Sequence, residues 1–178
     1  TVRAEEPVLV VDIGGGSTEM VLGEDTPQES TSMDIGSVRL HERHLRSDPP
    51  TAEEIAACVA DIDRHLDESR IEIEQARSIV GTSGTVKTIS CGVMGLPGYS
   101  PEIFDGAAPS IAHIRDFCDQ LVAMTVAERR ALPYMHPGRA DVIGAGALIW
   151  SRILARATAE HAMVSEADIL IGIADSIA

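Results

Sequence analysis

The apolar positions of the chain change period several times, and each change predicts an element. Val8 to Ile13 is an apolar run interrupted only by Asp12, the pattern of a strand covered on both faces. Ser17 to Leu22 mixes polar and apolar residues and is expected to return beside it, with Gly14-Gly15-Gly16 as the hinge. Gln28 to Ile35 alternates weakly after Pro27 and predicts a third antiparallel strand. Ser37, after Gly36, is placed to cap a short helix from Val38 to Leu45, which Ser47-Asp48-Pro49-Pro50 ends. Thr51 and Glu54 form a near capping box for an amphipathic helix whose stripe is Ile55, Val59, Ile62 and Leu66. Its acidic face, with Asp61 and Glu68, needs no function. His65 reads as solvated or packed rather than as a ligand, and Arg43 and Arg46 as solvated cations.

A short strand is expected at Arg77–Gly81, then a small-residue turn, Thr82-Ser83-Gly84-Thr85, and a helix from Val86 to about Met94. Residues 96–109 are rich in Gly and Pro and read as a loop excursion. Ser110 caps the next predicted helix, striped by Ile114, Phe117, Cys118 and Leu121. Thr125 caps another, closed by Pro133. A long helix is expected from Ala140 to about Thr158, slim at Gly144–Ala147. A last strand at Ala162–Ser165 and a terminal helix at Asp168–Ala178 complete one α/β domain without repeat or linker.

Composition narrows the function classes. A chain of 178 residues with 44% hydrophobic residues can bury a substantial core. No apolar run reaches the roughly 18 residues of a membrane span, and acidic, polar Thr1–Glu6 does not read as a secretory signal. Cys58, Cys91 and Cys118 lack CxxC spacing, so a reducing cytoplasm is the expected compartment. The formal charge of −14 argues against a nucleic-acid surface. It also demands that any polyanionic ligand be met by Mg²⁺, by clustered arginines or by a basic partner domain. Lys87 is the sole lysine.

Two stretches suit phosphate. The Gly14–Gly16 backbone, without Cβ atoms, lets an anion approach and can form a nest of N–H groups, with Ser17 beside it. Asp12 and Glu19 flank it, and a carboxylate beside a phosphate is repulsive unless a metal lies between them or it handles a proton, Mg²⁺ being the usual answer. Ser83, Gly84 and Thr85 aim N–H groups and hydroxyls from a helix start at a second point. This is not a P-loop, because Val86 stands where a glycine should precede Lys87. Arg139, at the entrance of the long helix, has a guanidinium suited to phosphate, or to pairing with Asp141.

Asp12-Ile-Gly-Gly-Gly-Ser-Thr-Glu19 resembles the second phosphate-binding motif of the exopolyphosphatase / guanosine-pentaphosphate phosphatase family, part of the actin-like superfamily. The likeness extends to Gly36–Leu40, Gly81–Val86, Gly138–Ile143 and Val164–Glu166, in family order. It implies an α/β, actin-like (ribonuclease H-like) domain with a mixed five-stranded sheet flanked by helices. It implies that Arg39 faces the site. It also implies a two-domain enzyme whose first domain carries another phosphate loop, an arginine and a glutamate base. Residues 1–178 are then expected to be the second domain alone, with half a site and little turnover by themselves. Asp12 is the expected carboxylate on the Mg²⁺ side, acting through water. Glu19 is expected to orient water or support the metal shell, and the two roles are interchangeable at this stage. The implied substrate is inorganic polyphosphate or guanosine pentaphosphate, and homodimers are common among relatives. The competing readings are a non-catalytic alarmone- or nucleotide-binding module and, ranked below it, an actin-like kinase, since Gly81–Val86 lacks a glycine-dense adenosine-contacting pattern.

Overall fold

The computed structural model describes residues 4–167. Three strands open the chain: β1 (Val8–Ile13), β2 (Thr18–Gly23) and β3 (Pro27–Met33). After α1 (Ser37–His44) and α2 (Ala52–Ser69), β4 (Ser78–Thr82) leads into α3 (Ser83–Val93). A helical excursion follows, comprising α4 (Pro101–Phe104), α5 (Ile111–Ala123) and α6 (Val126–Arg130). The chain returns through α7 (Ile143–Ala155) to β5 (Ala162–Val164). The sheet order is β3-β2-β1-β4-β5. β1 is antiparallel to β2 and parallel to β4, so the sheet is mixed, as expected.

Strand alternation gives the sheet two unlike faces. Leu9, Val11 and Ile13 of β1, with Met20 and Leu22 of β2, are buried beneath the helices. A Cβ built on Gly81 would meet Val86 of α3 and Trp150 of α7, so both helices lie on this face. α7 is the central helix: 11 of its 13 residues are buried, as its nearly all-apolar surface requires. The opposite face presents Val8, Val10 and Asp12, all half-buried. β3, at the sheet edge, is polar and mostly exposed, a composition that discourages edge pairing.

The caps at Thr51, Ser110 and Thr125 form as expected, and those at Thr51 and Thr125 are full capping boxes. Four readings need correction. Gly36, not Ser37, is the N-cap of α1; Ser37 Oγ donates to the Gly14 carbonyl at 3.3 Å instead. α3 begins at Ser83, so Ser83, Gly84 and Thr85 are its first turn rather than a turn before it. α7 begins at Ile143, because a 3-10 turn at Pro137–Arg139 intervenes. The loop excursion contains α4, started by Pro101. The expected terminal helix at Asp168–Ala178 lies outside the described residues.

On the acidic face of α2, Asp61 is held in a cluster of partners. The Asp61 side chain is only 10% exposed and accepts from Arg43 at 2.5 Å, Arg64 at 2.6 Å and His44 at 2.9 Å. His65 packs here too, with Nδ1 2.8 Å from the Asp61 carbonyl. Burial opposes ionisation of Asp61, but the His44, Arg43 and Arg64 hydrogen bonds overrule it and hold the carboxyl well below its usual range. Among the described residues no helix is long and apolar enough to cross a membrane.

Candidate functional site

At the end of the sheet where β1 and β4 finish, the starts of α1, α3 and α7 enclose a cleft of about 290 Å³. Gly14, Gly15, Ser83, Gly84, Thr85 and Arg139 all line it, together with Ser37, Val38, Gly138 and the apolar Ile13, Val142 and Ile143. In a chain of charge −14, no residue lining this cleft is acidic and one is an arginine. The only formal charge on this lining is therefore opposite in sign to that of the molecule as a whole.

Three helix starts differ in what they leave available. The N–H groups of Ser37, Val38 and Arg39 in α1 are taken by the Gly14 and Gly15 carbonyls, at 2.9 to 3.1 Å. The hairpin thus caps α1 with its backbone. This needs close approach: a Cβ on Gly36 would lie 2.5 Å from the Gly15 carbonyl carbon and 2.7 Å from that of Gly16. The Gly14 N–H is also committed, to the Ser17 carbonyl at 2.9 Å. By contrast, α3 and α7 carry no side-chain cap among the described residues. Both starts line the cleft, through Ser83, Gly84 and Thr85 of α3 and through Val142 and Ile143 at α7, and a helix start favours an anion.

Arg139 lies flat over Gly84: a Cβ there would come within 2.6 Å of Nε, and closer still to the rest of the guanidinium. Its Nη1 donates to Thr88 Oγ1 at 3.4 Å, and Thr88 in turn donates to the Gly84 carbonyl at 2.7 Å. Asp141, the alternative partner considered for Arg139, pairs with Arg130 at 2.8 Å. The loop behind Arg139 is anchored by Arg129, 2% exposed. Arg129 donates to Leu121, Val122 and Ala140 carbonyls, closing the end of α5 and fixing the approach to α7. Burial presses its guanidinium below the usual arginine range. Ser83 has φ +78°, a left-handed conformation rare outside glycine, and its Oγ is buried without a hydrogen-bond partner among the described residues.

The other expected site residues lie outside this cleft. Gly16 and Arg39 line an adjoining recess of about 420 Å³ with Gly15, Val38 and Glu42. Arg39 Nε donates to the Gly16 carbonyl at 2.9 Å and its Nη2 pairs with Asp34 at 3.4 Å. Ser17 closes the hairpin through its carbonyl. Asp12 and Glu19 are cross-strand partners, so both side chains project from the sheet face opposite Ile13. Ser32 Oγ donates to Glu19 Oε1 at 2.8 Å. Among the described residues no group of three or more His, Cys, Asp and Glu side chains is arranged so that it could hold a metal ion. Thr88 was not expected at the site, and Ser37 and Val142 were read only as a helix cap and as part of the family likeness. Thr88 had one legible signal, its position one helical turn beyond Gly84.

The Ppx/GppA phosphatase family profile matches residues 1–174. The chain belongs to that family. It is 42% identical over 181 residues to Exopolyphosphatase 2 of Mycobacterium tuberculosis, covering 98% of this chain and 57% of that protein. Its structure is similar to that of an exopolyphosphatase-like protein, with TM-score 0.94 at 42% identity, over 98% of this chain and 60% of the other. The Aquifex aeolicus family member gives TM-score 0.87 at 30% identity, over 96% of this chain and 55% of that one. The domain therefore has the actin-like fold of the family, and it spans little more than half the length of these relatives.

Proposed function

We propose that this domain supplies one wall of a phosphoanhydride hydrolase site that releases terminal phosphate from inorganic polyphosphate. The observation that carries the reading is the acid-free cleft, where Arg139 and the uncapped starts of α3 and α7 meet. A phosphate seated there receives backbone N–H donors and a guanidinium that need no reorganisation as charge develops. The hairpin separates this cleft from Asp12 and Glu19, so a phosphate chain crossing the glycine tip would have donors on one side and carboxylates on the other. Two adjacent carboxylates fit Mg²⁺, which takes one or two such ligands with substrate oxygens. When bound there, the cation neutralises phosphate charge against Asp12. Glu19, oriented by Ser32, is the group proposed to orient the attacking water. The facing wall, in this reading, comes from the length of the relatives that this chain does not span, and 1–178 alone has little turnover.

Guanosine pentaphosphate is the second reading, favoured by a separate recess of about 450 Å³ that shares Arg139 with the cleft. Tyr99, Tyr134, Met135 and His136 line it, side chains suited to stacking and packing against a base. Phosphate release by the full-length protein, measured with polyphosphate and with guanosine pentaphosphate, tests both. Polyphosphate turnover that collapses in Asp12→Ala and Glu19→Ala, with folding retained, is the expected result. Saturable binding of either ligand without release would replace the hydrolase with a binding module.

A further inference from the structure

Thr82 ends β4 and is 6% exposed. Its Oγ1 is buried and has no hydrogen-bond partner among the described residues. Buried hydroxyls are nearly always satisfied, and an exception calls for a water or an ion. The sheet register shows where such a group would sit. Thr82 pairs with Asp12, Asp12 with Glu19, and Glu19 with Ser32. Directly paired residues send their side chains to the same face. Ser32, Glu19, Asp12 and Thr82 therefore form one polar row across four strands. The row behind it on that face is apolar at its centre, where Val21, Val10 and Val80 are paired. The Thr82 hydroxyl is the innermost member of the polar row, while Ser32, at the outer end, is exposed and already bonded to Glu19.

We infer that the Thr82 hydroxyl is a positioning group for a hydrated divalent cation at Asp12, holding one of the cation's waters by a hydrogen bond. This rests on the reading of Asp12 as the cation-side carboxylate. Mg²⁺-type ions keep several waters when bound through one or two carboxylates, and the groups that hold those waters govern affinity and orientation. Thr82 contacts neither phosphate nor the reacting atoms in this assignment. Ser83, the next residue, serves the cleft on the other side of the hairpin, so β4 and the start of α3 divide their hydroxyls between the two sides.

Mn²⁺ binding to the full-length protein, followed by electron paramagnetic resonance without substrate, tests this. Thr82→Val keeps shape and removes the hydroxyl; Thr82→Ser restores it. The expected result is roughly tenfold weaker Mn²⁺ binding in Thr82→Val, affinity within about threefold of wild type in Thr82→Ser, and no fall in Tm for Thr82→Val, since its hydroxyl has no partner to lose. Wild-type affinity in Thr82→Val, with weakened binding in Asp12→Asn, would overturn the role of Thr82 alone. Unchanged affinity in Asp12→Asn would overturn the cation reading and this inference together. If Thr82→Val does not fold, equal weakening in Thr82→Ser and Thr82→Ala would also overturn it.

Discussion

Gly84→Ala separates the placement of Arg139 from the stability of the fold. The added Cβ would clash with the guanidinium, Nε standing 2.6 Å away. The atoms in its path are the far end of a flexible side chain, so Arg139 must leave the cleft while the backbone stays. Its long hydrogen bond to Thr88, 3.4 Å, is the named loss, about 0.5 kcal/mol or less. Against this, Ala gains up to about 1 kcal/mol over Gly in a helix, less in a first turn. The net change in Tm should lie within about 3 °C. Ligand binding should change far more. A hydrogen bond between a charged group and phosphate contributes about 1.5–3 kcal/mol, or roughly 10- to 150-fold in KM for polyphosphate. The assay is phosphate release by the full-length protein with thermal unfolding measured in parallel, on Gly84→Ala, Arg139→Ala and the double variant. If Gly84→Ala acts through Arg139, the double variant resembles Arg139→Ala. Additive effects, or an unchanged KM in Gly84→Ala, would refute the placement of Arg139 over the bound anion.

Three further outcomes are expected. Gly36→Ala forces a Cβ against the backbone of Gly15 and Gly16; the domain should lose about 1–3 kcal/mol by denaturant titration, with turnover falling as the hairpin shifts. Ser83→Gly relieves a left-handed backbone and removes an unpartnered hydroxyl, so Tm should rise by about 2–4 °C for roughly 1 kcal/mol; an unchanged Tm would deny the strain. The depressed carboxyl of Asp61 contributes stability that is present above the unfolded value near 4 and lost as pH falls through the folded one. Asp61→Asn should be less stable than wild type by about 3 kcal/mol at neutral pH and converge with it in acid, whereas parallel pH profiles would reject the pairing.

Strong periodicity made most of the fold legible. The run Val8–Ile13, the stripe Ile55–Leu66 and the caps at Thr51, Ser110 and Thr125 could be read because each is a local pattern with a local cause. What remained hidden depends on contacts between distant segments. The pairing of Asp61 was hidden because nothing in α2 reveals that Arg43 and His44 fold back onto it. The start of α3 was read three residues late because Ser83 takes a left-handed backbone that its sequence does not favour. The two phosphate-binding stretches were separately visible. That Gly14 and Gly84 share one cleft with Arg139 while Asp12 faces away from it follows from strand alternation and register, which a sequence motif does not encode.

The backbone clasp between the glycine hairpin and α1 bears on how a ligand would be received. Because the carbonyls of Gly14 and Gly15 terminate α1, any swing of the loop strips that helix of its end bonds. The loop is therefore a fixed anvil and not a flap, and an incoming phosphate chain spends little binding energy freezing it. Amide hydrogen exchange at Ser37, Val38 and Arg39 should be as slow in the free protein as in the liganded one.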